Sequence, residues 1–572
     1  MYCTGVVLGC RVTSPLPALF VCCPPLHFMA NNNTSATALV TGVVSDKNDT
    51  IIQAVDDDGS SSDSDSEGME RVPLTSSSHH TRTSSSSSDP AAAVDHHKQP
   101  MMVLAQLLSL TIGMLVARAS FAVMKTTDSA ILGHVSTAAL EASSVSDMYT
   151  GCTGVLAQGG VLGTFVSQAM GASNPKLAGA WLQVALVVTL SLSVPVAMLW
   201  TVTGPATRGL FGASNHIANM ASYYAIVLAT ALPGRAAFTA VAQYFGAQRI
   251  VKPVSEAGIV GASLNLLVGL PVVLAPLHLG FAACPWVTSL VTYVQLAYLL
   301  YTAVHRQKLH ATSWPGWDVR AHVTRERMFE FLKLFVPASL SLASDFWRVA
   351  VIGIFASKLG AVEVAVFNTS YRLLWLSLIF IGCLASAASI LAGQAVGAAD
   401  QRTFHRVLKV SAAFAISILA VAGALLVSMP DTIARIFTND ADVLALFRAS
   451  RFSLAAFLIF MNGSVFLESI AGALALQRKT FVAGLIGSWA GQVPGAALAV
   501  FCFERSLPSL YAGAACGYIL LCLLLAGIIY RAEWDAVVAD AQRRSESTVT
   551  KTTMELGSSG GDDDDDGGVN EL

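Results

Sequence analysis

Long apolar runs alternate with short polar breaks from Val103 to Tyr530. A run of about 20 apolar residues is long enough to cross a bilayer as a helix. The pattern predicts twelve such helices, at about residues 103–128, 140–166, 178–202, 219–244, 254–275, 280–302, 332–356, 362–388, 405–428, 446–473, 481–503 and 509–530. The longest internal polar stretch, His305–Lys333, divides them six and six. The expected fold is an all-α membrane protein of two six-helix bundles. The chain parses as a disordered tail over 1–100, a first lobe over 101–304, a linker over 305–332, a second lobe over 333–531 and a second tail over 532–572.

The halves echo one another. Ser167–Ala172 reads SQAMGA, and Gly393–Ala398, 226 residues later, reads GQAVGA. Phe211 and Phe437 recur at the same offset, on the loop after the third helix of each half. Gln248 and Gln477 close the fourth helices. An even number of helices per half makes the repeats parallel, related by a pseudo-twofold axis along the membrane normal. Two related bundles with a site between them are the architecture of a secondary transporter.

Composition supports the membrane. The chain is 54% hydrophobic and 12% charged, against about 25% charged in soluble domains. The net charge of −3 comes from acidic tails, Asp56–Asp65 and Asp562–Asp566, and gives no argument for nucleic acid. Basic residues gather on one side: Lys176, Arg249, Lys252, the linker, Arg402, Arg406, Arg478 and Lys479. That bias places the linker and both termini in the cytoplasm, and leaves the sequons at Asn32, Asn33 and Asn48 unused. The ten cysteines contain no CxxC pair, so neither a disulfide framework nor a metal site is expected. Translation starts at Met1 or at Met29, where a plainer polar run begins.

Five stretches then resemble one family. They are Asp128–Ala142 (DSAILGHVSTAALEA), SQAMGASNP from Ser167, the Gln248…Pro253…Asn265 spacing, GQAVGAADQ from Gly393, and Tyr530-Arg-Ala-Glu-Trp534-Asp. In order, on a six-plus-six chain, they resemble the multidrug and toxic compound extrusion (MATE) family of the eukaryotic type. The resemblance implies a V-shaped pair of lobes opening alternately to each side. It also implies an antiporter that exports organic cations, xenobiotics or metabolites in exchange for H⁺ or Na⁺. The alternative within the same two-bundle plan is a flippase for lipid-linked sugars or polysaccharides. An embedded acyl or glycosyl transferase would need clustered His, Asp or Asn and a long catalytic loop, which the sequence lacks, so an enzyme is not expected. No cofactor is expected beyond the coupling ion. The partners are a small organic solute and the bilayer, the state a monomer, and the home a plasma or vacuolar-type membrane.

A carboxylate in a low-dielectric setting can load and release a proton near neutral pH, so acids inside spans are the candidates for coupling. Asp128 matches a first-helix Asp of prokaryotic members; the alternative is a pair with Lys125. Asp345 lies near the midplane of the seventh helix in Ala-Ser-Asp-Phe-Trp-Arg, a match to the family's acidic-aromatic-Trp pattern; the alternative is a pair with Arg348. Glu468 in the tenth helix and Asp147 in the second complete the set. Asn265 matches a relay Asn, but the relay's Asp is replaced by Gly269. Trp347, Phe346, Asn368, Gln168 and Gln394 are candidates to line the substrate cavity. Uncharged Asn and Gln inside spans equally serve to hold helices together. His134 reads as interfacial. The repeat carries Asp128 to about Ile352, two turns past Asp345, so the acidic sites of the two halves do not superpose.

Overall fold

The computed structural model describes residues 90–158, 160–274 and 277–546. The predicted disorder before residue 90 and after 546 lies outside the described residues, as do the sequons and both candidate start positions. The described residues are helical and include no strand.

The principal helices are α1 (Pro90–Val135), α2 (Thr137–Gly154), α3 (Leu162–Gly171), α4 (Pro175–Thr201), α5 (Asn215–Ala229), α6 (Leu232–Ala247), α7 (Lys252–Val273) and α8 (Cys284–Leu300). After the linker come α9 (Arg325–Ser357), α10 (Ala361–Gly397), α11 (Gln401–Ser428), α12 (Arg451–Ala473), α13 (Gln477–Phe503, partly π-helical), α14 (Leu507–Tyr530) and α15 (Trp534–Glu546). Ten of the described helices are long and apolar enough to cross a membrane, and the bent pair α5–α6 makes an eleventh if taken as one span. The predicted second span is broken. A 3₁₀ turn at Val155–Ala157 separates α2 from α3. The α5–α6 bend of 50° falls where Pro233 opens α6, since a proline ring cannot continue the preceding turn.

Side chains cap the helices. Ser136, Asn174, Ser214, Thr324, Asp400, Asp440 and Ser506 each accept a backbone N–H of the first turn, which satisfies donors that no helix can satisfy itself. The helices then present apolar side chains outward as well as inward. Leu267, Ile416, Val421 and Leu523 are all more than half exposed, as expected where lipid is the solvent. Trp317 and Tyr530 stand almost fully exposed at the helix ends that carry the basic loops, a location suited to amphipathic rings. That end is termed the basic face below.

Helix association in lipid depends on close packing rather than on water. Between α13 and α14 the backbones touch: a Cβ on Gly513 would meet the carbonyl of Gly495, and one on Gly517 the backbone of Gln492. The linker is fastened to the first half. Lys176 Nζ donates to Trp314 O at 2.8 Å, Gln183 Nε2 to Gly316 O at 2.7 Å, and Tyr244 shares a hydrogen bond with Ser313 at 2.6 Å.

The halves meet near the basic face. Val103, Leu107 and Leu110, at the start of α1, pack in the core of the second half. Phe331, Leu334 and Phe335, at the start of α9, pack in the core of the first. A ring series Trp181–Phe165–Phe331–Phe335, with centroids 4.3, 5.5 and 5.6 Å apart, carries that contact across.

Candidate functional site

The echo lies in the seam itself, where α3 and α10 cross. A Cβ on Gly171 would collide with the carbonyl oxygen of Gln394, and one on Gly397 with that of Gln168. Only glycine permits this approach. Gln168 Nε2 donates to Ala473 O and Gln394 Nε2 to Ala247 O, both at 2.9 Å. These are repeat-related bonds, each running from the second span of one half to the end of the fourth in the other. The turns after them match as well. Ser173 and Ala399 share a positive φ (57° and 54°), as do Arg249 and Ala475 (65° and 58°). Gln168 and Gln394, named above as candidates to line a cavity or to hold helices together, bind backbone of the opposite half in the seam.

Farther along the spans, two charged clusters form, one per half. In the first, Asp128 is 3% exposed. Its Oδ1 accepts from Asn265 Nδ2 at 2.8 Å and its Oδ2 from Thr288 Oγ1 at 3.0 Å. Asn265 also donates to Met124 O, and its Oδ1 is buried with no donor. The alternative pairing of Asp128 with Lys125 is not the one adopted: Lys125 Nζ instead binds Asp147 Oδ1 at 2.8 Å. The geometry explains the choice. Asp128 is enclosed by α7 and α8, whereas Asp147 on α2 stands with Lys125 at about a quarter exposure. Nearby, the Arg235 guanidinium lies over the Phe121 ring, 4.9 Å from its centroid.

In the second half, Asp345 Oδ1 pairs with Arg348 Nη1 at 3.0 Å, one turn apart on α9. The same nitrogen donates to Ser488 Oγ at 2.8 Å, and the guanidinium lies over Tyr518, 5.0 Å from the ring centroid. Arg348 is thus buried and held on three sides, while the Asp345 side chain is 39% exposed. Glu468 on α12 is half-buried within electrostatic reach of both, yet makes no hydrogen bond or ion pair among the described residues. Phe346, Trp347 and Asn368 are half-buried on α9 and α10, and Trp347 Nε1 is buried without an acceptor.

Each half therefore holds two acids and a cation paired with one of them, and the first half adds Arg235. One acid is neutralised by that cation: Asp147 by Lys125, Asp345 by Arg348. The other, Asp128 or Glu468, has no salt bridge. Thr288, Ser488 and Tyr518 escaped the sequence reading, because hydroxyls inside apolar runs carry no periodic signal. His134 is exposed, with Nδ1 2.8 Å from the carbonyl of Ala130. No group of three or more His, Cys, Asp or Glu suited to a metal ion occurs among the described residues.

Helical bundles joined at a seam between repeat-related spans, with charged clusters buried in both halves, define a membrane transporter built from a duplicated unit. The MatE family model matches residues 114–270 and 337–496, one copy in each half, and the chain belongs to the MATE family of multidrug and toxin extrusion transporters. Multidrug and toxin extrusion protein 1 of Xenopus tropicalis is 25% identical over 452 residues, covering 78% of this chain and 77% of its own. That of Danio rerio is 24% identical over 395 residues, 68% of this chain and 65% of its own. The human protein of the same name is 27% identical over 321 residues, and the match spans just over half its length. Among solved structures, the eukaryotic MATE transporter AtDTX14 aligns with a TM-score of 0.69 at 19% identity, covering 78% of this chain and 99% of its own. A variant of the Vibrio cholerae MATE transporter VcmN aligns with the same score at 17% identity, over 76% and 99%. These likenesses establish the fold. The protein is a multi-pass integral membrane protein of eukaryotic MATE type.

Proposed function

We propose that the protein is a proton-coupled antiporter that exports small organic solutes by alternating access. In each half the proton is carried by the acid that lacks a fixed counter-charge, Asp128 or Glu468. The carrying observation is the division of labour within each cluster. A carboxylate already paired with Lys or Arg gains little from a second cation. One held only by neutral donors, or by none, must be neutralised by a proton or a bound cation to remain in a low-dielectric span. The orphaned Oδ1 of Asn265 offers a second acceptor beside Asp128. Asp345 and Asp147 then serve as ion-pair partners that set the local field.

The rings of Phe346 and Trp347 and the half-exposed Asp345 supply a face suited to an amphipathic cation. The seam at the basic face supports a state closed on that side. With that face toward the cytoplasm, in a plasma or vacuolar-type membrane, the cycle moves solute outward. The test is uptake of a fluorescent organic cation into proteoliposomes, with pH and Na⁺ gradients imposed separately. A ΔpH is expected to drive it, and Asp128→Asn and Glu468→Gln to abolish that drive. Uptake indifferent to ΔpH in the parent protein contradicts the reading.

A further inference from the structure

The two seam glutamines are matched at one end and mismatched at the other. Gln394 Oε1 accepts from Arg249 Nε at 2.7 Å. The repeat places Ala475 where Arg249 stands, so the equivalent cation for Gln168 is missing from the duplicated scaffold. It is supplied from outside it. Arg544 Nη2, on α15, donates to Gln168 Oε1 at 3.0 Å.

α15 is built to stay where that bond needs it. It follows α14 after three residues and belongs by chain to the second half. Val537, Val538 and Ala541 are buried along one side, while Asp535, Asp540 and Arg543 are exposed on the other. Trp534 packs on Phe404 of α11, with ring centroids 5.3 Å apart. At its far end Ala541, Arg544 and Ser545 lie beside Phe165, Gln168 and Trp181 of the first half. The helix is thus anchored in one half and fastened to the other, across the seam whose glycines are in backbone contact.

We propose that α15 is a latch on the basic face, and that Arg544 is a positioning residue for the transport cycle. Its guanidinium, with that of Arg249, holds the two seam glutamines in the closed arrangement. Opening the basic face must break four bonds: Gln168 to Ala473 and Arg544, and Gln394 to Ala247 and Arg249. Losing Arg544 removes a charge-assisted bond present only when the halves are together, so it shifts the population toward the face-open state. The inference rests on the alternating-access reading only in that the seam must open.

The experiment is a distance measurement in lipid. Spin labels on Lys252→Cys and Lys479→Cys, both exposed at the basic face of opposite halves, report the separation by double electron–electron resonance, with native cysteines replaced by serine. Arg544→Ala is expected to raise the ratio of wide to narrow separations by about ten- to a hundredfold, the range for one lost charge-assisted hydrogen bond. Arg544→Lys restores part of it. Gln168→Ala, which loses the bonds to both Ala473 and Arg544, raises the ratio further than Arg544→Ala does, and adding Arg544→Ala to it changes the ratio no further. Arg543→Ala, whose partner Asp540 lies on the same helix, leaves the ratio unchanged. A parental ratio in Arg544→Ala, with Arg249→Ala widening the seam, overturns the latch. The readout needs no solute, so failure of ΔpH-driven uptake would remove the proposed function and leave this result standing.

Discussion

The two halves of this transporter agree where backbone geometry decides and disagree where side-chain charge decides. Positive-φ turns, glycine contacts, glutamine-to-carbonyl bonds and helix caps recur 226 residues apart: Ser173 with Ala399, Gly171 with Gly397, Gln168 with Gln394, Asn174 with Asp400. The charged clusters share only a plan, two acids of which one is paired with a cation, and the first adds Arg235. In the first half the unpaired acid is buried and held by Asn265 and Thr288. In the second it is half-buried and makes no hydrogen bond, beside a buried arginine. Duplication kept the seam and left the two charged clusters free to diverge.

The sharpest way to break this comparison is to remove the unpaired acids. Asp128→Asn and Glu468→Gln each reduce ΔpH-driven uptake to the level of protein-free vesicles, while folding and insertion persist. Equal loss from Asp147→Asn would erase the distinction between paired and unpaired acids.

Removing the cations comes next. Arg348→Met removes a buried guanidinium together with its bonds to Asp345 and Ser488 and its seat over Tyr518, and costs about 2–3 kcal/mol. Lys125→Met leaves Asp147 at about a quarter exposure, and costs about 1 kcal/mol or less. Thermal unfolding in detergent should rank them in that order, and Asp345→Asn added to Arg348→Met should recover part of the loss.

The seam sharpens the shared side of the comparison. Gly171→Ala and Gly397→Ala each place a methyl against a backbone carbonyl, and should destabilise by similar amounts, about 1–3 kcal/mol. Unequal losses in a melting assay would mean that the seam is less symmetric than its bonds.

The smallest effect concerns the caps. Asn174 and Asp400 occupy repeat-related positions, one neutral and one ionisable. Hydrogen bonds from Thr403 hold the Asp400 carboxyl below its ordinary value. A depressed carboxylate contributes stability that is present above its unfolded-state pKa and lost as pH falls through the folded one. Between pH 5 and 8 the cap is constant, so Asp400→Asn should change stability by less than about 0.5 kcal/mol there. Below about pH 4 the parent, but not Asp400→Asn, should lose it.

Much of this was legible in the sequence for a physical reason. Apolar runs, the paired SQAMGA and GQAVGA, and Asp345 with Arg348 at i+3 are local signals. The rest is long-range. The bond between Asp128 and Asn265 and the preference of Lys125 for Asp147 depend on which helices are neighbours. The break between α2 and α3 falls at Val155–Ala157, three apolar residues that by themselves read as continuing helix. Arg544 lies outside the repeat altogether, so no internal symmetry pointed to it.

The central claim is that the acid without a counter-charge carries the proton in each half. The most direct measurement is ΔpH-driven uptake by the charge-deleted pair Lys125→Met/Asp147→Leu, compared with Asp128→Asn in the same vesicles. The doubly neutralised protein should keep ΔpH-driven uptake while Asp128→Asn loses it. Uptake that survives in Asp128→Asn and vanishes in the double variant would contradict it.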